Sequence, residues 1–395
     1  MITVSYSGVH QAYQVALAAQ EAGLLDRFYC SFYDAPSKWG NRLSNVLGVD
    51  VLKNRRLEGI DSSLVWEHPW PELAFKLCGK IKRQSGNSWI ISAQRFDGWV
   101  AKQIGRGSSR GIVCVENCAY ETFRAAEKLG YRRVYDCPGC NTKLLQEITE
   151  DAARRTGLTF VSTADTPEFT RRKAVEIGLA DFVLTYSDFH TAGVLARGVP
   201  LERIVQIPLW TDSDFWTPGA ELKSLNGPLR VLFAGGINLR KGVPFLVEAV
   251  RSLAPYAQLT LVGSLDPDAK SCLGGSEDFA TVLAPVGKAA LRDLYRAHDV
   301  LVLPSLGDSF GFVAMEAMAC GLPVILTTHC GAPVPDENWR VPVMDSNAIR
   351  NRLQGYLDQP EQVLAGRNTA RAFAVQYTPA RYRAAVGALL SKIDH

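Results

Sequence analysis

Short, wholly apolar runs bounded by turn-forming residues recur along this chain, separated by stretches whose apolar positions follow a helical spacing. Runs of that kind predict strands buried on both faces, as in a parallel sheet covered by helices. The sharpest case is Asp299-Val-Leu-Val-Leu-Pro-Ser305, running on through Leu306 to Glu316 and then Ala317 to Leu326. It predicts a strand, a turn, a helix carrying Glu316 about two turns along it, a Gly-Leu-Pro stop and a second buried strand. Pro304 ends the first strand, and Gly307, Ser309 and Gly311 keep the backbone thin where the helix starts. Free N–H groups at a helix N-terminus attract anions, and small residues let a ligand come close. Two carboxylates, Asp308 and Glu316, bracket this corner. A carboxylate grips paired sugar hydroxyls because each of its oxygens accepts O–H hydrogen bonds. One corner can therefore hold phosphate on backbone N–H groups and sugar on acids.

The same alternation organises the rest of the chain. Ile2 to Tyr6 predicts a first strand, Ser7-Gly8 a turn and about Val9 to Ala22 a helix, although the turn is short of a full GxGxxG and reads equally as a plain tight turn. Between Pro36 and Gly86 lie two basic clusters, Lys53/Arg55/Arg56 and Lys76/Lys80/Lys82/Arg83, interleaved with Trp66 and Trp70. They predict a solvated helical face with the aromatics in the core. A second reading docks this face on anionic lipid headgroups, where each basic residue contributes about 1 kcal/mol. Ile112 to Val115 predicts a strand, Ala119 to Leu129 a helix, Arg133 to Tyr135 a strand and Thr142 to Arg155 a helix. Glu116, Glu121, Asp136 and Asn141 fall at carboxyl ends of these strands, where open α/β sheets place ligands. They are candidate acceptor contacts, with capping or core roles as the competing reading. Ala180 to Ser187 and Ile204 to Pro208 complete the first half.

Leu209-Trp-Thr-Asp-Ser-Asp-Phe-Trp-Thr-Pro-Gly219 and the polar residues to Pro228 read as a boundary. A fresh strand, Leu229 to Gly235, then leads into Gly236-Ile-Asn-Leu-Arg-Lys-Gly242 and a helix from Val243 to Leu253. A glycine loop with Arg240 and Lys241 beside a helix start suits a diphosphate. Strands follow at Gln258 to Gly263 and Thr281 to Val286, and a helix at Lys288 to His298 leads into the central run. Beyond Leu326 come a strand from Arg340 to Val343, two helices, and a last amphipathic helix from Tyr377 to Ile393. The expected division is 1–208, a linker at 209–228, a second α/β domain at 229–376, and a C-terminal helix at 377–395 that returns to the first domain.

Composition narrows the function without selecting it. At 395 residues two domains are expected, and 47% apolar with 21% charged residues is ordinary for a globular chain. A net charge of +3 gives no argument for nucleic acid. Nine scattered cysteines suit reduced thiols rather than a disulfide framework. Cys137 and Cys140 have zinc-knuckle spacing, but Cys114 lies inside a strand, so convergence with Cys118 is not expected, and a redox Cys-Pro-Gly-Cys lacks its companion fold. The opening residues form a strand rather than a signal peptide, and no apolar run approaches the ~18 residues of a membrane span. The expected location is cytoplasmic, with peripheral contact at the inner face of the membrane as an extension.

The run Pro304-Ser-Leu-Gly-Asp308-Ser-Phe-Gly311 through Glu316-Ala-Met-Ala-Cys-Gly-Leu-Pro-Val324, with Ala297-His-Asp299 ahead of it and the basic loop upstream, resembles the donor domain of family 4 (group 1) glycosyltransferases. The likeness is most specific from Arg230 to about Ala385, and thinner before that, resting on Gly8, Ala180-Asp181, Ser187 and Pro208. It implies an α/β chain of GT-B architecture: two Rossmann-like domains with parallel sheets facing a central cleft. It also implies a retaining transferase that takes a sugar from a nucleotide-diphosphate donor without metal or other cofactor. Glu316 would take the ribose hydroxyls, Asp308 the donor sugar, and the backbone from Phe310 through Gly311 and Phe312 to Val313 the diphosphate and sugar, with Ser309 beside them in the donor site. Lys241 and Arg240 would neutralise the leaving group; Gly8, Gly235, Gly236, Gly263 and Val286 would line the donor site. Asp136, Asn141 and Glu116 would face a saccharide or lipid-linked acceptor in surface polysaccharide or lipopolysaccharide assembly. The family's usual Arg, first Glu, following Gly and interdomain Asn-Gly are here Gly236, Asp308, Ser309 and Leu209-Trp210. Two other readings compete: an inactive GT-B protein that binds a nucleotide sugar or acts as a scaffold, and a dinucleotide-dependent oxidoreductase. The second is opposed by the lack of a complete GxGxxG.

Overall fold

A computed structural model describes residues 1–8, 11–39, 42, 55–81, 88–139, 142–158, 167–219 and 227–394. Two all-parallel sheets organise them. The first holds seven strands in the order β3-β2-β1-β4-β5-β6-β7: β1 (Ile2–Tyr6), β2 (Leu25–Cys30), β3 (Val65–Glu67), β4 (Gly111–Val115), β5 (Arg132–Asp136), β6 (Phe182–Thr185) and β7 (Ile204–Gln206). The second holds six in the order β10-β9-β8-β11-β12-β13: β8 (Leu229–Ala234), β9 (Ala257–Val262), β10 (Ala280–Leu283), β11 (Val300–Leu303), β12 (Val324–Thr327) and β13 (Arg340–Val341). Every residue of β4, β11 and β12 is buried, which is why these strands read as unbroken apolar runs.

Helices cover both sheets. In the first half they are α1 (Ala12–Glu21), α2 (Trp70–Ile81), α3 (Ser88–Val100), α4 (Tyr120–Lys128), α5 (Thr142–Thr156), α6 (Pro167–Leu179) and α7 (Asp188–Leu195). In the second they are α8 (Val243–Arg251), α9 (Lys288–Ala297), α10 (Phe312–Ala319), α11 (Ser346–Asp358), α12 (Glu361–Ala374) and α13 (Pro379–Ile393). In each sheet the order reverses beside the first strand of its half, β1 and β8, which leaves a crevice at the carboxyl ends of the strands.

α13 lies against α1. Arg383 reaches Glu21 at 2.8 Å and the amide oxygen of Gln14 at 3.0 Å, and the N-terminal ammonium bonds Asp394. The segment ahead of β8 is fastened to the second half. Arg371 donates to the carbonyls of Ser213 and Trp216, Arg296 to the carbonyl and hydroxyl of Thr217, and Arg292 to the carbonyl of Phe215.

Three expectations change. Trp66 and Trp70 are not core residues: β3 is an edge strand that turns Val65 inward, so alternation points Trp66 out, and the two indoles are 45% and 59% exposed. The strand expected to reach Val286 stops at Leu283, before Pro285, whose missing N–H cannot extend a ladder. Glu316 is the fifth residue of α10, just over one turn from its start, because the helix begins only after Gly311. Among the described residues no metal-ligand cluster occurs, and Cys114 and Cys137 pack in one apolar cluster while Cys118 packs in another. Cys140 and Asn141 lie outside the described residues, as do Val9, Lys53, Lys82 and Arg83.

Candidate active site

The loop between β11 and α10 gathers the chemistry. Gly311 adopts φ 73, and a Cβ there would press on the sulfur of Cys330, so the tight entry into α10 needs glycine. Asp308 stands three residues ahead of it, its Oδ1 accepting the Gly311 N–H at 3.2 Å. Its Oδ2 meets the Lys241 ammonium at 2.5 Å, with both side chains about one-fifth exposed. Lys241 arrives on the loop before α8, which Gly242 enters at φ 69; a Cβ on Gly242 would run into the carbonyl of Pro304. Asn238 braces that loop by accepting the Lys241 N–H at 2.9 Å. The two loops therefore pack glycine to backbone, and this contact brings the cation to the acid. Arg240 contributes its carbonyl to Leu306 N–H at 3.0 Å while its side chain is exposed.

Gly235 and Gly263 end neighbouring strands at φ 142 and 151, and a Cβ on Gly263 would collide with the carbonyl of Gly235. Gly236 sits beside the Asn238 amide. Ser309 and Phe310 are buried, Val313 is half-buried and Phe312 is 41% exposed. Val286 is exposed in the loop beyond β10. Glu316 is half-buried. Burial pushes its carboxyl up to about 7, against the opposing hydrogen bond from Tyr295 and the charge of Lys288.

The first half meets this loop directly. Ser187 caps α7 and also donates to the carbonyl of Ser309 at 2.7 Å, while the Ser309 hydroxyl donates to the carbonyl of Pro138 at 2.9 Å. Phe189 stacks on His329 at 4.7 Å, and Gly307 lies against Leu145 and Phe189. Gly8 follows β1 against the ring of Tyr6, and Arg55 reaches the neighbouring Ser7 carbonyl at 3.5 Å while paired bidentately with Glu72 at 2.7 and 2.9 Å.

The proposed acceptor acids are less open than their strand-end positions suggest. Asp136 is fully enclosed, accepts from the Tyr186 hydroxyl and is pushed by burial up to about 7; Gln11 donates to the same hydroxyl at 2.5 Å. Glu116 is buried beside Gly139 and paired with Lys173 at 3.4 Å. Glu121 is exposed, with its N–H capped by Asp97 at 2.8 Å. Tyr295, which no sequence signal marked, also shapes the site by bonding Glu316, and Ser187, one of the residues that carried the thinner first-half resemblance, bonds the loop directly.

Residues 228–359 match the family model of glycosyl transferases group 1. The D-inositol 3-phosphate glycosyltransferase of Gordonia bronchialis is 31% identical over 310 residues, 67% of this chain and 67% of that protein. Against other curated relatives of the same name the chain spans under half of their length, 36% in one and 45% in another. The structure of sucrose-phosphate synthase from Thermosynechococcus elongatus superposes with a TM-score of 0.68 over 99% of this chain and 98% of that one, at 19% identity. The Anabaena protein HepE in complex with UDP-glucose superposes at 0.64 over 99% of both chains, at 16% identity. Two Rossmann-like domains facing a cleft are thus the GT-B fold of a glycosyltransferase. The chain belongs to the group 1 glycosyltransferases.

Proposed function

We propose that this chain transfers a sugar from a nucleotide-diphosphate donor to a saccharide or lipid-linked acceptor, with retention at the anomeric carbon and without metal. The Lys241–Asp308 pair at the entry to α10, with Glu316 just over one turn along the same helix, carries the reading. The first N–H groups of a helix are left without intrahelical carbonyls, so phosphate oxygens suit the entry to α10. Glu316 takes the ribose hydroxyls and Asp308 a hydroxyl of the donor sugar. The bond between the anomeric carbon and the phosphate oxygen breaks with its electron pair on the diphosphate. Lys241, with Arg240 at the mouth of the loop, stabilises the charge that builds there. The acceptor oxygen bonds to the same face of the sugar, and its proton passes to the departing phosphate. HepE in complex with UDP-glucose supports a nucleotide-sugar donor. Glu316→Ala and Lys241→Ala should each lower turnover by about a hundredfold or more with the fold intact; near-wild-type rates in both would refute the assignment.

Surface glycan assembly at the inner face of the membrane is the cellular setting we infer. No helix among the described residues is long and apolar enough to cross a membrane. The support is an aromatic pair, Trp39 and Trp70, 51% and 59% exposed with ring centres 6.1 Å apart, together with the basic run Lys76, Lys80, Lys82 and Arg83 that follows Trp70 in the sequence. Indoles suit the headgroup layer and lysines its anionic charge. Flotation with anionic vesicles but not with neutral ones is the expected result; equal recovery in both sinks the inference.

A further inference from the structure

Beneath Glu316 lies a residue with no place in the donor contacts described so far. The Tyr295 hydroxyl, on α9, donates to Oε2 of Glu316 at 3.2 Å. The Tyr295 side chain is fully buried, and its ring meets the indole of Trp216 edge to face at 5.5 Å. Trp216 belongs to the segment between the two halves, which Arg292, Arg296 and Arg371 hold by its carbonyls. The phenol is therefore fixed from below, and Glu316 meets a donor whose position is set by the interdomain segment.

We propose that Tyr295 is a positioning residue of the donor site: it holds one oxygen of the Glu316 carboxylate and leaves the other facing the ribose hydroxyls of the nucleotide. This rests on the reading of Glu316 as the ribose acceptor. A carboxylate accepts two hydroxyl hydrogen bonds, whereas a protonated acid spends one oxygen as a donor. Burial favours the proton on Glu316, and the Tyr295 hydroxyl opposes it by bonding to the charged form. The other titratable groups facing Glu316 are Lys288, which also favours the carboxylate, and Cys320, whose thiol is pushed up to about 12 and stays neutral. Tyr295 is itself pushed well above the usual phenol range by burial and remains a donor.

The test is calorimetric titration of the full chain with UDP-glucose and with GDP-mannose, neither of which titrates near neutrality, across about pH 6 to 9. Phenylalanine fills the tyrosine's volume, so Tyr295→Phe keeps the packing and loses only the hydroxyl. The expected result is binding about tenfold weaker near pH 6, returning to within about twofold of wild type near pH 9, as the carboxylate forms without help. In a Glu316→Gln background, which keeps an acceptor oxygen and does not titrate, the same substitution should produce no pH-dependent loss. A loss equal at every pH, an unaltered profile, or the same pH-dependent loss in the Glu316→Gln background overturns the positioning role. Wild-type affinity in Glu316→Ala itself, or no binding of either donor by wild type, overturns the donor reading instead.

Discussion

The ammonium of Lys241 lies 2.5 Å from Oδ2 of Asp308, joining residues 67 positions apart. On the proposed function, this pair sets a cation and an acid where the donor's phosphate and sugar meet, and an arriving diphosphate competes with Asp308 for Lys241. The partners should then behave in opposite ways. Lys241→Ala should lower kcat/KM by about a hundredfold or more, the scale of losing a fixed charge on a leaving group. Asp308→Asn should lower turnover of the nucleotide sugar yet bind UDP at least as tightly, since it removes a negative charge beside the phosphates. Steady-state kinetics and UDP titration check both. Weaker UDP binding in Asp308→Asn contradicts this account of the pair.

Ser309 offers a second test. Its hydroxyl reaches Pro138 and its carbonyl accepts from Ser187, so the loop between β11 and α10 bonds to two loops of the other half. Ser309→Gly removes one hydrogen bond, worth about 0.5–1.5 kcal/mol, from the closed arrangement. Solution scattering with saturating UDP should report a larger radius of gyration for the variant than for wild type. Identical profiles would assign the contact no part in closure.

Much of this site was legible because its parts are local. The apolar runs at Val300 to Leu303 and Val324 to Thr327 mark buried strands, and the glycines between them mark a helix entry. What escaped the sequence depends on distant pairings. Tyr295 on Glu316 joins two helices across 21 positions, and Ser309 on Pro138 spans 171. The exposure of Trp66 follows from β3 being an edge strand, which strand order decides and local composition does not. Asp136 is a strand-end acid whose burial and pairing with the Tyr186 hydroxyl, 50 positions away, no local pattern signals.

Burial pushes the carboxyls of Asp136, Glu176 and Glu316 each up to about 7. An acid that holds its proton more tightly when folded favours folding while protonated. That stability is complete below about pH 4 and is lost as pH rises to about 7. Asp136→Asn lacks one such group. The wild-type melting temperature should therefore fall relative to the variant across this window, then run parallel above it. A difference that does not vary from pH 4 to 8 would contradict the buried-acid account.

Glycines at the loop contacts should tolerate nothing larger. Gly242→Ala meets both the left-handed backbone and the Pro304 carbonyl, and should cost over about 2 kcal/mol. Gly198→Ala, at φ 82 with open space around it, should cost only about 1 kcal/mol. Chemical denaturation of the two variants measures the difference. Equal losses would mean that the approach of the two loops is not what requires glycine at Gly242.

The most direct test of the donor site is a thermal-shift screen of nucleotide diphosphates and nucleotide sugars against the full chain in the presence of EDTA. A ligand at a hundred times its Kd stabilises by about 2.7 kcal/mol, a readily seen shift. The account predicts that one nucleotide stands out without metal, and that Glu316→Ala and Lys241→Ala each erase its effect. The same shift in wild type and in both variants would place the nucleotide elsewhere and contradict the site.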